Sequence, residues 1–210
     1  HELNNPLGVV IMYANILLEE NNGDEEISDD LKLIVEQANR CKKIVGGLLN
    51  FARSKQVRHD ETNIEQLAKQ SLSSLIIPDK VSVSLNCKCD NKFVMLDTEQ
   101  ITQVLNNLAK NAIEAMPDGG KLKIDIEDNE KQIFIHVSDT GTGIPKEKTD
   151  KIFEPFYTTK GIGKGTGLGL ATTYGIIKMH KGKITVTSND NPNKGKTGTT
   201  FKIVLPRRKD

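Results

Sequence analysis

The chain has 210 residues, 36% of them apolar, enough to bury a core in one large domain or two modest ones. Its 29 Lys and Arg nearly balance 28 Asp and Glu, so no global field draws it onto nucleic acid or an anionic membrane surface. Apolar runs of only a few residues exclude a bilayer span, and Cys41, Cys87 and Cys89 form no paired framework, which predicts structural thiols in a reducing, cytoplasmic setting.

The chain opens on HELNNPLG, and Leu3, Leu7, Val10, Ile11, Ala14, Leu17 and Leu18 then recur at three and four, the stripe of an amphipathic helix. After the polar break ENNGDEEISDD, Leu31, Ile34, Ala38, Cys41, Val45, Leu48 and Ala52 keep a 3/4 alternation, the seam of a coiled coil or bundle. Two such helices joined by a short loop predict an antiparallel hairpin. A hairpin covers only half of each stripe, so a second copy is the natural partner and a dimeric four-helix bundle is expected.

Periodicity lapses at RSKQVRHDET, which places a domain boundary near residues 54–61 and divides the chain into 1–56 and 57–210. A capping box from Thr62 to Glu65 predicts a helix over TNIEQLAKQSLSSL. Strict alternation predicts strands at KVSVSLNCK, KLKIDIED, QIFIHVSD, KITVTSN and GTTFKIVLP. Between them a helix from about Thr98 to Met116 starts at Asp97, and another from about Gly167 to His180 is closed by Gly182. His180, near a helix C-terminus where a cation suits the dipole, reads as structural, as do His59 and His136. The second domain is thus α+β, a mixed sheet of about five strands with roughly three helices on one face.

Three stretches carry chemistry. In NNLAKNAIEAMPDGG, Asn107 and Asn111 share one helical face; an amide oxygen there suits Mg2+ carried by a polyphosphate, and two solvated amides are the plain alternative. In DTGTGIP, Asp139 ends an apolar strand and Gly141 and Gly143 open the turn, so a carboxylate can accept from an exocyclic amine while a flat ring approaches the backbone. In FEPFYTTKGIGKGTGLGLATTYG, glycines at 161, 163, 165, 167 and 169 lead into a helix, a phosphate-binding arrangement with a lid. No strand immediately precedes them and no GxxxxGK[ST] occurs, so neither a dinucleotide fingerprint nor a P-loop is present.

In this order, with GTTF at 198–201, the stretches resemble the N, G1, F, G2 and G3 boxes of sensor histidine kinases, and HELNNPL resembles their H box. The form HExxNPL with FEPFYTTK is most similar to the nitrogen-regulatory subgroup. The resemblance spans essentially the whole chain. It implies a dimerisation and phosphotransfer hairpin followed by a Bergerat-type α/β sandwich that binds ATP and Mg2+. It also implies autophosphorylation of His1, transfer to an aspartate of a response regulator receiver domain, and a capacity to dephosphorylate that partner. By position, His1 would be the phosphoacceptor, Glu2 its base, and Asn5 the residue that positions water for dephosphorylation. Asn111 would hold the metal and Asn107 the phosphates, with Lys110 or Lys160 as charge partners. Asp139, Gly141, Gly143, Ile144 and Thr199 would form the adenine pocket. Gly165, Thr166, Gly167, Leu168, Gly169 and Leu170 would wrap the phosphates, with Phe153 and Phe156 anchoring the lid. Expected partners are a second copy through the hairpin and a receiver domain, without nucleic acid; this segment itself makes no membrane contact, while the full-length protein is open to anchoring.

Two competing readings are weaker. Gyrase-like and mismatch-repair ATPases share such a fold, but they carry a glutamate four residues before the metal-binding asparagine. The residue here is Asn107, and an amide is no general base. A non-catalytic nucleotide-sensing scaffold would have no need of both the metal-ligand asparagine and the glycines, and both are present.

Overall fold

The computed structural model describes residues 4–20, 24–53, 57–160 and 165–207, which fall into two compact units. His1 and Glu2 lie outside the described residues, as do Gly161 and Gly163 and part of the expected boundary, 54–56.

The first unit contains helices α1 (Asn4–Glu20) and α2 (Glu25–Arg53), together with the segment Glu154–Gly169. Asp24 caps α2 by accepting from the amides of Glu26 and Ile27 at 3.1 and 3.2 Å. Ala14 of α1 and Leu31 and Ala38 of α2 are buried, so the 3/4 spacing read from the sequence is the packed face. The stripe is covered incompletely. Val10 and Leu17, both counted into it, are about half exposed, as are Tyr13 and Ile34. No helix among the described residues is long and apolar enough to cross a membrane.

The second unit is the sheet domain. Strands β1 (Asp60–Asn63) and β3 (Phe93–Leu96) pair antiparallel in a small sheet. The main sheet has the order β2–β4–β5–β7–β6, built from β2 (Val81–Lys88), β4 (Gly120–Asp128), β5 (Gln132–Asp139), β6 (Lys183–Asn189) and β7 (Gly198–Pro206). β2 and β4 are parallel and the other neighbours antiparallel. All five strands of this sheet coincide with the alternating segments. The buried set is Leu122, Ile124 and Ile126 on β4, Ile133, Ile135 and Val137 on β5, and Phe201, Ile203 and Leu205 on β7. Three helices complete that core: α3 (Ile64–Ser73), α4 (Thr98–Glu114) and α5 (Gly169–Met179), which contribute Ile64 and Leu67, Val104, Leu105 and Leu108, and Ile176 and Ile177. One face of each of the three central strands, β4, β5 and β7, is therefore dry, while β2 and β6 bury one residue each, Val81 and Ile184.

Three sequence expectations need correction. The small sheet was not anticipated, because DETN lacks alternation and FVML is a continuous apolar run too short to separate from a helix. The capping box at Thr62 does not form. Asn63 caps α3, its Oδ1 accepting from the amides of Glu65 and Gln66 at 3.1 Å, while the Thr62 hydroxyl faces the Thr98 hydroxyl at 2.7 Å. Glu65 turns outward to Lys69 and Lys92, at 2.7 and 2.5 Å, and their ammonium groups lower its pKa to about 2. Third, His180 is structural as expected, but not as a cation at the helix end. It is 4% exposed, its Nε2 accepts from the Asp97 amide at 3.1 Å, and a ring nitrogen that accepts from N–H carries no proton. Nδ1 therefore holds the proton of a neutral ring and donates to the Ile176 carbonyl at 2.9 Å.

Asp97 does cap α4 as expected. Oδ1 accepts from the Gln100 amide at 3.0 Å, and Oδ2 accepts from the Arg58 amide at 3.1 Å, so one buried carboxylate serves both the helix start and the chain entering the domain. Asp97→Ala removes both acceptors and is expected to cost about 2 kcal/mol, a cap plus one stranded amide. Asp97→Asn, which caps equally well, should recover at least half of that in urea denaturation.

Candidate functional site

The site grows from the end of β5. Burial raises the pKa of Asp139, and the amides of Gly141 and Thr199, which donate to Oδ1 at 2.9 and 3.2 Å, partly oppose that shift. Oδ2 has no protein partner among the described residues. It is an acceptor held at a strand end, the geometry an exocyclic amine needs.

The loop after β5 is fixed from two sides. Towards α4, the Thr142 amide donates to the Ala115 carbonyl at 3.0 Å, and a side chain on Gly141 would sit 2.5 Å from that same oxygen. Towards β6 and β7, the Ile144 amide donates to the Ser188 hydroxyl at 2.8 Å. Gly143 has φ +75°, and a Cβ there would collide with the Asn189 carbonyl, so only glycine fits this left-handed turn. Ser188 in turn donates to the Gly198 carbonyl and lies against the Thr199 hydroxyl, each at 2.9 Å. Thr199 is buried.

On α4, Asn107 and Asn111 are half-buried, one turn apart, and Asn111 lies just before the Ala115 cap that holds the β5 loop. Their neighbour Asn106 has a different task, accepting from the Ser71 hydroxyl of α3 at 2.6 Å. Lys110 is exposed. Asp139, Gly141, Gly143, Ile144 and Thr199 thus meet at one edge of the sheet domain, and Asn111 and Asn107 stand one and two turns before Ala115, where the loop is tied to α4. Phe153 stands within the same unit, its ring 5.5 Å from Tyr174 and 6.4 Å from Phe201, and Leu170 starts the α5 portion of that unit, half-buried.

The remaining expected residues belong to the other unit. Within Glu154–Gly169, the Phe156 amide donates to the Gly167 carbonyl at 3.0 Å, and the Leu168 amide donates to the Thr166 hydroxyl at 3.4 Å. Phe156 is 55% exposed with φ +67°, a strained conformation for a bulky residue, and Lys160 is exposed. Gly165 and Gly169 flank these contacts, and Leu168 is buried. Asn5 lies exposed in the first turn of α1. Sequence reasoning passed over Ser188 and Asn189, since a lone serine in TVTSND announces nothing until its partners, 10, 11 and 44 residues away, are known.

The donor chemistry can be compared with a magnesium nucleotide. No cluster of three or more His, Cys, Asp or Glu able to hold a metal occurs among the described residues. An amide on α4 with no carboxylate cage fits Mg2+ that arrives with its phosphates, which supply most of its oxygens. The cysteines are all free thiols, with Cys41 exposed and the Cys89 pKa pushed up to about 12, first by burial and then by Cys87 beside it.

Two family models match the chain. One describes histidine kinase-, DNA gyrase B- and HSP90-like ATPases and covers residues 96–209; the other describes the histidine kinase A phospho-acceptor domain and covers residues 1–57. Similar proteins include the sensor kinase CckA of Brucella abortus, 38% identical over 99% of this chain and 23% of that protein. Sporulation kinase A of Bacillus subtilis is 35% identical over 99% of this chain and 33% of its own length. The chain thus spans a third or less of these relatives. Among solved structures, full-length ShkA in complex with AMPPNP matches all of this chain and 45% of that one, with a TM-score of 0.76 at 23% identity, a likeness of fold. Histidine kinase ThkA in complex with the response regulator protein TrrA matches 99% of this chain and 59% of that one, with a TM-score of 0.65 at 28% identity.

Proposed function

Because the chain belongs to the sensor histidine kinases of two-component systems, we propose that it is a kinase core that moves the γ-phosphoryl group of ATP to His1 and on to a receiver aspartate. The carrying observation is an amine-accepting Asp139 whose loop is tied to α4 at Ala115, one and two turns after Asn111 and Asn107. Asp139 Oδ2 accepts from the adenine amine, Gly141 and Gly143 let the ring approach the backbone, and Ile144 and Thr199 close the pocket. Asn111 would hold the metal and Asn107 would steady the phosphates, with Lys110 or Lys160 as charge partner. When bound, Mg2+ offsets phosphate charge, the main electrostatic demand of phosphoryl transfer. Gly165, Thr166, Gly167, Leu168, Gly169 and Leu170 wrap the phosphates, and Phe153 and Phe156 set the lid.

In the transfer, one neutral imidazole nitrogen of His1 attacks the γ-phosphorus, a P–N bond forms, the bond to the bridging oxygen breaks and ADP leaves. Glu2 accepts a hydrogen bond from the other ring nitrogen and offsets the charge that develops. The receiver carboxylate then takes the phosphoryl group, leaving His1 neutral, and Asn5 positions water for the reverse signal, hydrolysis of the aspartyl phosphate. The apolar surfaces left on α1 and α2 support a homodimer through the hairpin, with residues 1–56 as phosphotransfer domain and 57–210 as ATP-binding domain.

Incubation with γ-labelled ATP and Mg2+ tests this reading. Acid-labile, base-stable label is expected, and it should fall below about 1% of wild type in both His1→Gln and Asn111→Asp. Steady phosphate release without protein-bound label would instead identify a hydrolytic ATPase.

A further inference from the structure

Ser188 occupies a position that the nucleotide reading leaves unassigned, and its hydrogen bonds fix the polarity of its neighbour. A serine hydroxyl has one proton to donate and two lone pairs to accept with. The Gly198 carbonyl, 2.9 Å away, can only accept, and the Ile144 amide, 2.8 Å away, can only donate. The proton of Ser188 is therefore committed to Gly198, since turning it elsewhere would leave two oxygen lone pairs facing each other. It follows that in the 2.9 Å contact between Ser188 and Thr199, Thr199 is the donor. With its only proton so engaged, the Thr199 hydroxyl can only accept from anything else. Thr199 also stands directly beside Asp139, because its own amide donates to Asp139 Oδ1.

From this we infer that Ser188 is a positioning residue that sets the base specificity of the site. It orients the Thr199 hydroxyl so that this wall of the pocket presents acceptors alone, Asp139 Oδ2 and Thr199 Oγ1. Such a wall selects a purine bearing an exocyclic amine and repels one bearing a carbonyl oxygen at the same place, because acceptor then faces acceptor. The inference rests on the proposed binding of ATP at Asp139. A further consequence is mechanical: the same hydroxyl links the β5 loop at Ile144 to β7 at Gly198, so selectivity and loop position depend on one atom.

The test compares ATP with inosine triphosphate, which differs by a carbonyl in place of the amine and the accompanying ring proton. Both compete against a fluorescent ADP analogue on the 210-residue chain. Wild type should prefer ATP. Ser188→Ala frees the Thr199 proton to turn toward a carbonyl, so the ATP-to-inosine preference should shrink about tenfold, the loss of one oriented hydrogen bond. Ser188→Thr, which keeps the hydroxyl, should retain the wild-type ratio. Should Ser188→Ala not fold, Ser188→Cys, similar in size but a poor acceptor, is expected to shift the ratio in the same direction. Equal loss of affinity for both nucleotides with an unchanged ratio would reduce Ser188 to a structural strut and overturn the inference. Failure of wild type to bind either nucleotide would overturn the ATP reading itself, a result distinguishable from an unchanged ratio.

Discussion

Asp139→Asn is expected to weaken ATP binding on the order of a hundredfold to a thousandfold while leaving the nucleotide-free chain more resistant to heat. The two effects have one origin. Burial raises the Asp139 pKa above its ordinary 3.8, so the folded chain holds the ionised carboxylate at a cost the unfolded chain does not bear. The sign follows from linkage: the group's contribution to stability is complete below its unfolded pKa and is lost as pH rises through the higher folded pKa. At neutral pH the wild type carries that loss. An asparagine avoids it, and its carbonyl can still accept from the Gly141 and Thr199 amides. Its NH2 group then faces the pocket, donor against donor for an adenine amine. Melting curves should show the variant above wild type at pH 7, with the gap closing below about pH 4, and calorimetric titration should show the affinity loss. A variant that melts lower at pH 7 would mean the carboxylate is held favourably after all.

Gly143→Ala should damage both fold and site. The backbone at φ +75° costs an alanine about 1–2 kcal/mol, and the added methyl meets backbone atoms of Asn189 and Asp190, which have no flexible end to move. Relief requires the β5 loop to lift away from β6, breaking the Ile144 to Ser188 hydrogen bond. The expected total is about 3 kcal/mol of stability and at least tenfold in ATP affinity. If Gly143→Ala loses no more than about 2 kcal/mol in urea denaturation, the backbone strain alone, the contact with β6 contributes nothing.

The legibility of this chain in its sequence follows the range of the forces involved. Alternation reports burial on one face, which a strand such as Ile133–Ile135–Val137 displays by itself, so the main sheet could be read directly. Asp97 as a helix cap is equally local. The small sheet could not be read, because DETN and FVML owe their strand conformation to each other rather than to pattern. Asn63 displaced Thr62 as the cap because the Thr62 hydroxyl is engaged by Thr98, 36 residues on. His180 turned out neutral because its partner is an amide 83 residues away. Within the nucleotide site, motif spacing picked out Asp139 and its glycines, yet said nothing of Ser188, whose importance exists only after β6, β7 and the β5 loop meet.

The one parallel contact among the described strands has a consequence for how the chain is made. β4 and β5 are joined by a three-residue turn and can pair within microseconds of appearing. β2 has no such neighbour: Val81 pairs opposite Gly120, 39 residues further along, and β4 is its only strand partner among the described residues. At ordinary translation rates of 5–20 residues per second, β2 leaves the ribosome about 2 to 8 s before β4 can receive it. During that interval it is an unpaired strand with both edges open, a template for association between nascent chains. Its alternation limits the hazard, since Ser82, Ser84, Asn86 and Lys88 make one of its faces entirely polar. The serines and lysine on the outer face of β2 thus protect the chain before the sheet they decorate exists.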